Sequence, residues 1–268
     1  MERLAWDNLP ESLRQAIEAR TGPVHAVQIA TAGENSPLAA VIDADAGRVF
    51  TKGMPSSHRR VSSQAREATV APLVTGISPA LLWHFDEAGW NVLGYEFADG
   101  RHADYSPGSP DLSHLVQLMN ALAEIKIPDP GKFRRAEDRW KPYLDDPEAA
   151  QLFAGRTLTH TDWTPDNVLV SAHRAWLIDW AWPTLSAAWV DPACWVLRLM
   201  ASGGHTAPQA EQQASRLPAF TAADPAHIDL FAAANVRLWE EVAQFSPSGW
   251  TKKMRQAAHS WLTHRAAR

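Results

Sequence analysis

The chain is short of the residues that several protein classes depend on. Its single cysteine, Cys194, lies in an apolar run with Trp195, Val196 and Leu197. That excludes an intramolecular disulfide framework and fits a buried, reduced thiol better than a nucleophile. Nowhere do eighteen uncharged apolar residues run together, and the opening residues 1–7 carry no apolar signal core. Neither membrane insertion nor secretion is expected, and a cytoplasmic location is. The eleven histidines include no pair at metal-ligand spacing with a third partner, which argues against a zinc site. GxSxG, CxxC, GxGxxG and internal repeats are all missing. Lysine is scarce in the first half, where Lys52 is the only one before Lys126. A net charge of −5 argues against a nucleic-acid surface and is compatible with a cationic or neutral small-molecule partner. Charge does not decide between monomer and homodimer.

What is present is concentrated in one segment. His160-Thr161-Asp162-Trp163-Thr164-Pro165-Asp166-Asn167 is followed, ten residues later, by Ile178-Asp179-Trp180. Phosphoryl transfer needs positioning and charge neutralisation more than covalent chemistry from the protein. One Asp must face the acceptor hydroxyl, an Asn five positions on can help hold magnesium, and a second Asp after a strand can bridge metal and phosphates. Asp162, Asn167 and Asp179 match these roles, with Asp162 as catalytic base and Asn167 and Asp179 as metal ligands. Residues 168–170 read as a short buried strand and 175–178 as its hairpin partner, with 171–174 as the turn.

These residues resemble the aminoglycoside phosphotransferase and choline-kinase-like family of small-molecule kinases, whose members have a protein-kinase-like fold. The match, H-x-D-x-x-x-x-N followed by an apolar strand and I-D-W, covers roughly residues 156–200. It implies an α+β, bilobal architecture: an N-terminal nucleotide-binding lobe, residues 1–99, made of an antiparallel sheet with a helix, and a mainly helical catalytic and substrate-binding lobe, residues 100–268. With 46% hydrophobic content, 268 residues can bury one large or two modest cores. The resemblance also implies ATP and Mg2+ as cofactors and a small-molecule hydroxyl acceptor, such as an aminoglycoside, an amino sugar or a related antibiotic or metabolite. A metabolic kinase of choline or homoserine type and a catalytically silent kinase-like binding protein are the alternatives.

In the first lobe, Leu9, Leu13, Ala16 and Ile17 share a helical face, so a helix is expected over 9–20, ending before Gly22-Pro23. Residues 24–30, 38–43 and 48–52 read as a meander, with turns at 32–36 and 43–47. The resemblance would place the turn at 32–36 over the nucleotide phosphates, but it contains one glycine. Lys52, ending the third strand, stands where the family has its phosphate-binding lysine. Such a lysine needs a carboxylate to hold its stem, and Glu67 is the only acidic residue between Lys52 and Asp86. Val61, Ala65 and Ala68 put Glu67 on a helix within 57–71 that Pro72 stops. Strands over 81–86 and 91–97 then lead to the segment that resembles the family's hinge, where Glu96, Phe97 and Ala98 would contact adenine. Residues 101–110, rich in Gly, Pro and Ser, are the expected linker.

In the second lobe, Ser109-Pro110-Asp111 starts a helix with Leu112, Leu115, Val116, Met119 and Leu122 as its apolar stripe. Asp191-Pro192-Ala193 opens another through Met200, and Asp191 is expected to cap it and brace the catalytic loop. A flexible break is expected over 201–208, then helices near 208–217, 228–245 and 252–265. In the related kinases such helices wall the acceptor pocket, so Glu240 and Glu241, beside Trp239, are candidates for an amine-bearing substrate. Trp163, Trp180, Trp182 and Trp189 crowd the catalytic segment, where some could stack on a sugar, a base or a cation.

Overall fold

The computed structural model of the chain describes residues 3–30, 36–129, 131 and 133–268. Packing divides the chain into two units: Met1–Gly100 with Trp176–Ala181, and Arg101–Ala175 with Trp182–Arg268. The sequence suggests one division, near residue 99. The return of 176–181 to the first unit has no signature in composition or periodicity.

The first unit is an antiparallel sheet with a helix on each face. Helix α1 (Glu11–Thr21) precedes β1 (Val24–Ile29), β2 (Leu38–Ala44) and β3 (Gly47–Pro55); α2 (Val61–Val70) is followed by β4 (Leu81–Glu87) and β5 (Trp90–Glu96). The strand order is β1-β2-β3-β5-β4. Strand alternation assigns the two faces. Leu38, Ala40, Ile42 and Ala44 share a buried cluster with Leu9, Leu13 and Ile17 of the α1 region and with Phe85, Trp90 and Val92. Lys52 has the opposite parity. It pairs across to Ala39 on one side and Leu93 on the other. Directly opposed residues in an antiparallel ladder project to the same face, so Lys52 and Tyr95, two positions past Leu93, lie on the face that carries α2. The helix is fixed there by Gln64, whose Nε2 donates to the Lys52 carbonyl at 3.2 Å. The β4–β5 turn at Ala88-Gly89 has positive φ at both residues, 53° and 75°, which suits a two-residue hairpin. The turn at 32–36 lies, but for Ser36, outside the described residues.

The second unit is mainly helical. It begins with β6 (Arg101–His102) and α3 (Asp111–Ala123), continues through β7 (Arg134–Arg135), α4 (Ala136–Trp140), β8 (Thr157–Thr159) and β9 (Val168–Val170), and reaches the unit boundary in β10 (Ala175–Leu177). Then come β11 (Thr184–Ser186), α5 (Val190–Gly203), α6 (Ala207–Ala214), α7 (Pro218–Thr221), α8 (Pro225–Phe245) and α9 (Gly249–Ala266). The expected linker at 101–110 is more ordered than its composition suggests. Arg101 and His102 pair with Val170 and Leu169, and the Asp111 carboxylate takes both Nη atoms of Arg101 at 2.6 and 3.0 Å. The break expected at 201–208 is shorter too: α5 runs to Gly203, Gly204 turns left-handed at φ 73°, and Thr206 with Gln209 forms a capping box for α6. Strand β11 lies between β8, antiparallel, and β7, parallel. Almost all of α5 is buried, including Trp195 and Leu199, as an apolar run wider than one stripe requires. No described helix is long and apolar enough to cross a membrane.

Candidate active site

In the first unit the structure gathers three residues that are far apart in sequence. The Lys52 ammonium lies 2.7 Å from Glu67 Oε2 and 3.0 Å from Asp179 Oδ1. Lys52 and Glu67 are nearly dry, while the Asp179 side chain is one-third exposed. Burial alone would lower the lysine pKa, but Asp179 and then Glu67 outweigh it and hold the ammonium charged, above its ordinary value. Burial pushes the Glu67 carboxyl up to about 7 against the pull of Lys52. The Tyr95 hydroxyl donates to Glu67 Oε2 at 3.3 Å, and burial raises the Tyr95 pKa well above its usual value. Asp179 adopts φ 62°, a conformation costly for a residue with a β-carbon and found where surrounding contacts enforce it.

In the second unit the loop between β8 and β9 is held chiefly through its backbone. Asp191, buried in the first turn of α5, accepts the amides of His160 at 2.8 Å and Thr161 at 2.7 Å. It braces the loop as expected but does not cap its own helix, whose N-cap is Trp189. Burial raises the Asp191 pKa in spite of these amides. Thr161, like Asp179, has positive φ, 63°. Its left-handed turn is pinned by Asp191 and by Arg139, whose Nη1 donates to Thr161 Oγ1 at 2.6 Å and Thr184 Oγ1 at 2.7 Å. Desolvation lowers the Arg139 pKa to about 10. His160 is buried, and its Nδ1 accepts the Asp162 amide at 3.3 Å, an anchoring contact. The Tyr105 hydroxyl reaches the Trp163 carbonyl at 3.1 Å.

Asp162 itself is partly open, with 37% of its side chain exposed. Asn167, at the end of the 3-10 turn Pro165–Asn167, donates from Nδ2 to the Asp162 carbonyl at 2.9 Å and to its Oδ2 at 3.2 Å. This leaves the Asn167 Oδ1 as the side-chain atom available to a cation. The other carboxylate oxygen, Oδ1, accepts Arg198 Nη2 at 2.9 Å. Sequence reasoning missed Arg198, as it did Arg139. Arg198 is nine-tenths buried on α5, its Nη1 rests 2.9 Å from Met254 Sδ, and Trp239 and Trp250 stand 5.1 and 5.3 Å from its guanidinium carbon. A signal existed: Arg198 is the only basic residue in the apolar helix 190–203, and a lone charge in a buried helix needs a partner.

The remaining candidates are more dispersed. Glu96 ends β5, its amide bonded to the Ala80 carbonyl, and Phe97 lies under the Arg48 guanidinium at 3.9 Å; Ala98 follows, half-buried. Trp239 is drawn to the Asp162 loop through Arg198. Glu240 and Glu241 are exposed, the first 2.8 Å from His259 Nε2 and the second accepting the Tyr143 hydroxyl at 3.3 Å. Of the four tryptophans, Trp163, Trp180 and Trp189 are buried in packing, whereas Trp182 is 44% exposed. Among the described residues no group of three or more His, Cys, Asp or Glu could hold a metal. Asn167 and Asp179 each offer a hard oxygen, a donor type that suits magnesium completing its shell with water and phosphate oxygens.

No family model matches the chain, and no curated protein matches it. Solved structures do. Choline kinase LicA from Streptococcus pneumoniae superposes with a TM-score of 0.65 at 14% identity, covering 94% of this chain and 98% of that one. An aminoglycoside phosphotransferase from Alicyclobacillus acidocaldarius gives 0.62 at 12% identity, covering 99% and 98%. Aminoglycoside phosphotransferase APH(4)-Ia gives 0.60 at 14%, covering 92% and 98%. The chain therefore has the α+β, protein-kinase-like fold of the aminoglycoside phosphotransferases and choline kinases.

Proposed function

We propose that this protein is a small-molecule kinase that transfers the γ-phosphoryl group of ATP to a substrate hydroxyl in a magnesium-dependent reaction. The observation that carries this reading is the clasp on Lys52. A buried ammonium held by two carboxylates is costly as a structural device, yet one of those carboxylates, Asp179, is left partly open and in a strained backbone conformation. Bound ATP would supply the phosphoryl group, with magnesium offsetting charge on its phosphates. Lys52 is assigned to the phosphate oxygens and Glu67 to holding its stem. Glu96, Phe97 and Ala98 are assigned to the adenine. Asn167 and Asp179 contribute metal ligands, and Asp162 receives the proton of the attacking hydroxyl on its carboxylate. Support also comes from the structural neighbours, which include LicA with AMP and APH(4)-Ia with ADP and hygromycin B.

A silent kinase-like binding protein is the second reading, and the presence of Lys52, Glu67, Asp162, Asn167 and Asp179 together speaks against it. Calorimetry with ATP, with and without magnesium, separates the two when combined with an assay of ADP release over a pool of hydroxyl acceptors. Magnesium-strengthened binding that Asp179→Ala removes, with acceptor-dependent ADP release, supports the kinase. Binding that magnesium does not affect, or ADP release indifferent to acceptor, rejects it.

A further inference from the structure

We infer that the acceptor is a hydroxyl compound without a positive charge, and that Arg198 is the residue that selects against an ammonium while it positions Asp162. This inference rests on the kinase reading. A cation bound near a catalytic carboxylate is normally received by free carboxylates or by open aromatic faces. Among the described residues of the second unit, the carboxylates of Asp162 and Asp191 and the indoles of Trp182, Trp239 and Trp250 already have partners within the protein. Asp162 Oδ1 is paired with Arg198, and Asp191 is buried under two loop amides. Trp239 and Trp250 both face the Arg198 guanidinium. The exposed indole of Trp182, whose carbonyl receives Thr161 Oγ1 at 3.4 Å, lies 4.5 Å from the Arg134 guanidinium carbon and 5.4 Å from that of Arg139.

Glu240 and Glu241 would be the natural amine receptors on α8, but each already meets His259 or Tyr143 at the surface. Asp166 is exposed in the loop turn and is one carboxylate against the guanidiniums of Arg134, Arg139 and Arg198. Among the described residues the buried Arg198 Nε–H has no acceptor, so the guanidinium is only partly satisfied by one carboxylate oxygen and a thioether. An incoming ammonium would meet like charge at Asp162, which penalises a wrong partner heavily. A hydroxyl, an acetamide or a carboxylate beside the reacting group would not.

The test is phosphoryl transfer from MgATP by the full chain to charge-matched acceptors: glucosamine against N-acetylglucosamine, ethanolamine and choline against glycolate, and kanamycin against its N-acetylated form. The expected result is a kcat/KM at least about tenfold higher for the uncharged or anionic member of each productive pair. Arg198→Met, an apolar replacement suited to Met254 and the two tryptophans, should narrow that ratio and lower kcat as Asp162 loses its brace. Arg198→Lys, which keeps the charge, should preserve the ranking. If Arg198→Met does not fold, the wild-type ranking and the Arg198→Lys ranking decide. Preference for the amine in the wild type, or an unchanged ratio in a folded Arg198→Met, overturns the inference and leaves the kinase reading standing. MgATP binding without transfer to any acceptor also overturns it. Failure to bind MgATP in calorimetry removes the kinase reading itself.

Discussion

The Lys52 cluster and the Asp162 loop are built on opposite plans. In the first unit, charged side chains meet one another directly: Lys52 on a strand pairs with Glu67 on a helix at 2.7 Å and with Asp179, in a left-handed turn, at 3.0 Å. In the second, an irregular loop is held by side chains that bond to its backbone, with Asp191 at two amides and Asn167 at a carbonyl. The Asp162 backbone is fixed at both its amide and its carbonyl, while its carboxylate stays partly exposed. A dry ion-pair cluster is brittle, because removing one partner leaves an uncompensated buried charge. A loop fixed by its backbone tolerates an isosteric change at its reactive residue, because shape and chemistry are carried by different atoms.

The contrast breaks if substitutions in the two clusters have similar effects. The largest effect expected is on turnover: Asp162→Asn should lower it about 10²- to 10⁴-fold, while urea denaturation finds a loss of only about 1 to 2 kcal/mol, because the amide oxygen still accepts from the buried Arg198 but no longer opposes its charge. Lys52→Met should also impair turnover, as expected of a phosphate ligand, but with a larger stability cost of about 3 kcal/mol because Glu67 stays buried without its cation. A Lys52→Met chain as stable as Asp162→Asn would remove the claim of brittleness. Next comes Asp191→Ala, which orphans the amides of His160 and Thr161. It should cost about 2 kcal/mol in urea and more than tenfold in turnover, about what Asp162 gains from being held in place, although Asp191 does not touch the acceptor. Asp191→Asn, still able to accept one amide, sharpens the point by losing less.

The smallest effect concerns pH. The Glu67 carboxyl has a folded-state pKa of about 7, raised from 4.5. The folded chain thus holds a proton there that the unfolded chain has released. Its contribution to stability is fully present below pH 4.5 and is lost as pH rises to about 7. Glu67→Gln should flatten the stability profile across that window, removing this group's pH dependence. Equal slopes for wild type and variant between pH 4.5 and 7 would falsify the burial of an acid at this position.

Local signals carried most of the fold. The turn residues at 43–47 and 87–89 bounded β2, β3, β4 and β5 to within a few residues, and apolar spacing marked α1 and α3. The pairing of Lys52 with Glu67 is what the family resemblance implies, Glu67 being the only acidic residue between Lys52 and Asp86. The contact between Asp162 and Asn167 was legible because the two residues lie five positions apart within one loop. Arg198 and Arg139 were not. Each acts through a side chain that arrives from a helix, Arg198 from 36 positions after Asp162 and Arg139 from 22 before Thr161, and no spacing rule ties a helix position to a loop so distant. Composition also overstated the break at 201–208, where glycine-rich sequence forms a tight helix-to-helix turn, and did not reveal that Arg101 and His102 at the unit boundary pair with β9.

The excursion of residues 176–181 into the first unit has a consequence for how the chain is made. Those six residues give the unit the Leu177 amide for the Ile77 carbonyl, Asp179 for Lys52, the Trp180 indole for Ser78 and the Ala181 carbonyl for Arg66. A ribosome must first synthesise all of residues 101–175, which takes roughly 4 to 15 s at ordinary rates. Throughout that interval the five strands of the first unit are complete but Lys52, Ile77, Ser78 and Arg66 lack the partners that residues 176–181 bring. Nascent chains stalled before Ala181 should remain open to proteases and chaperones, and the first unit should close only as the second is being completed.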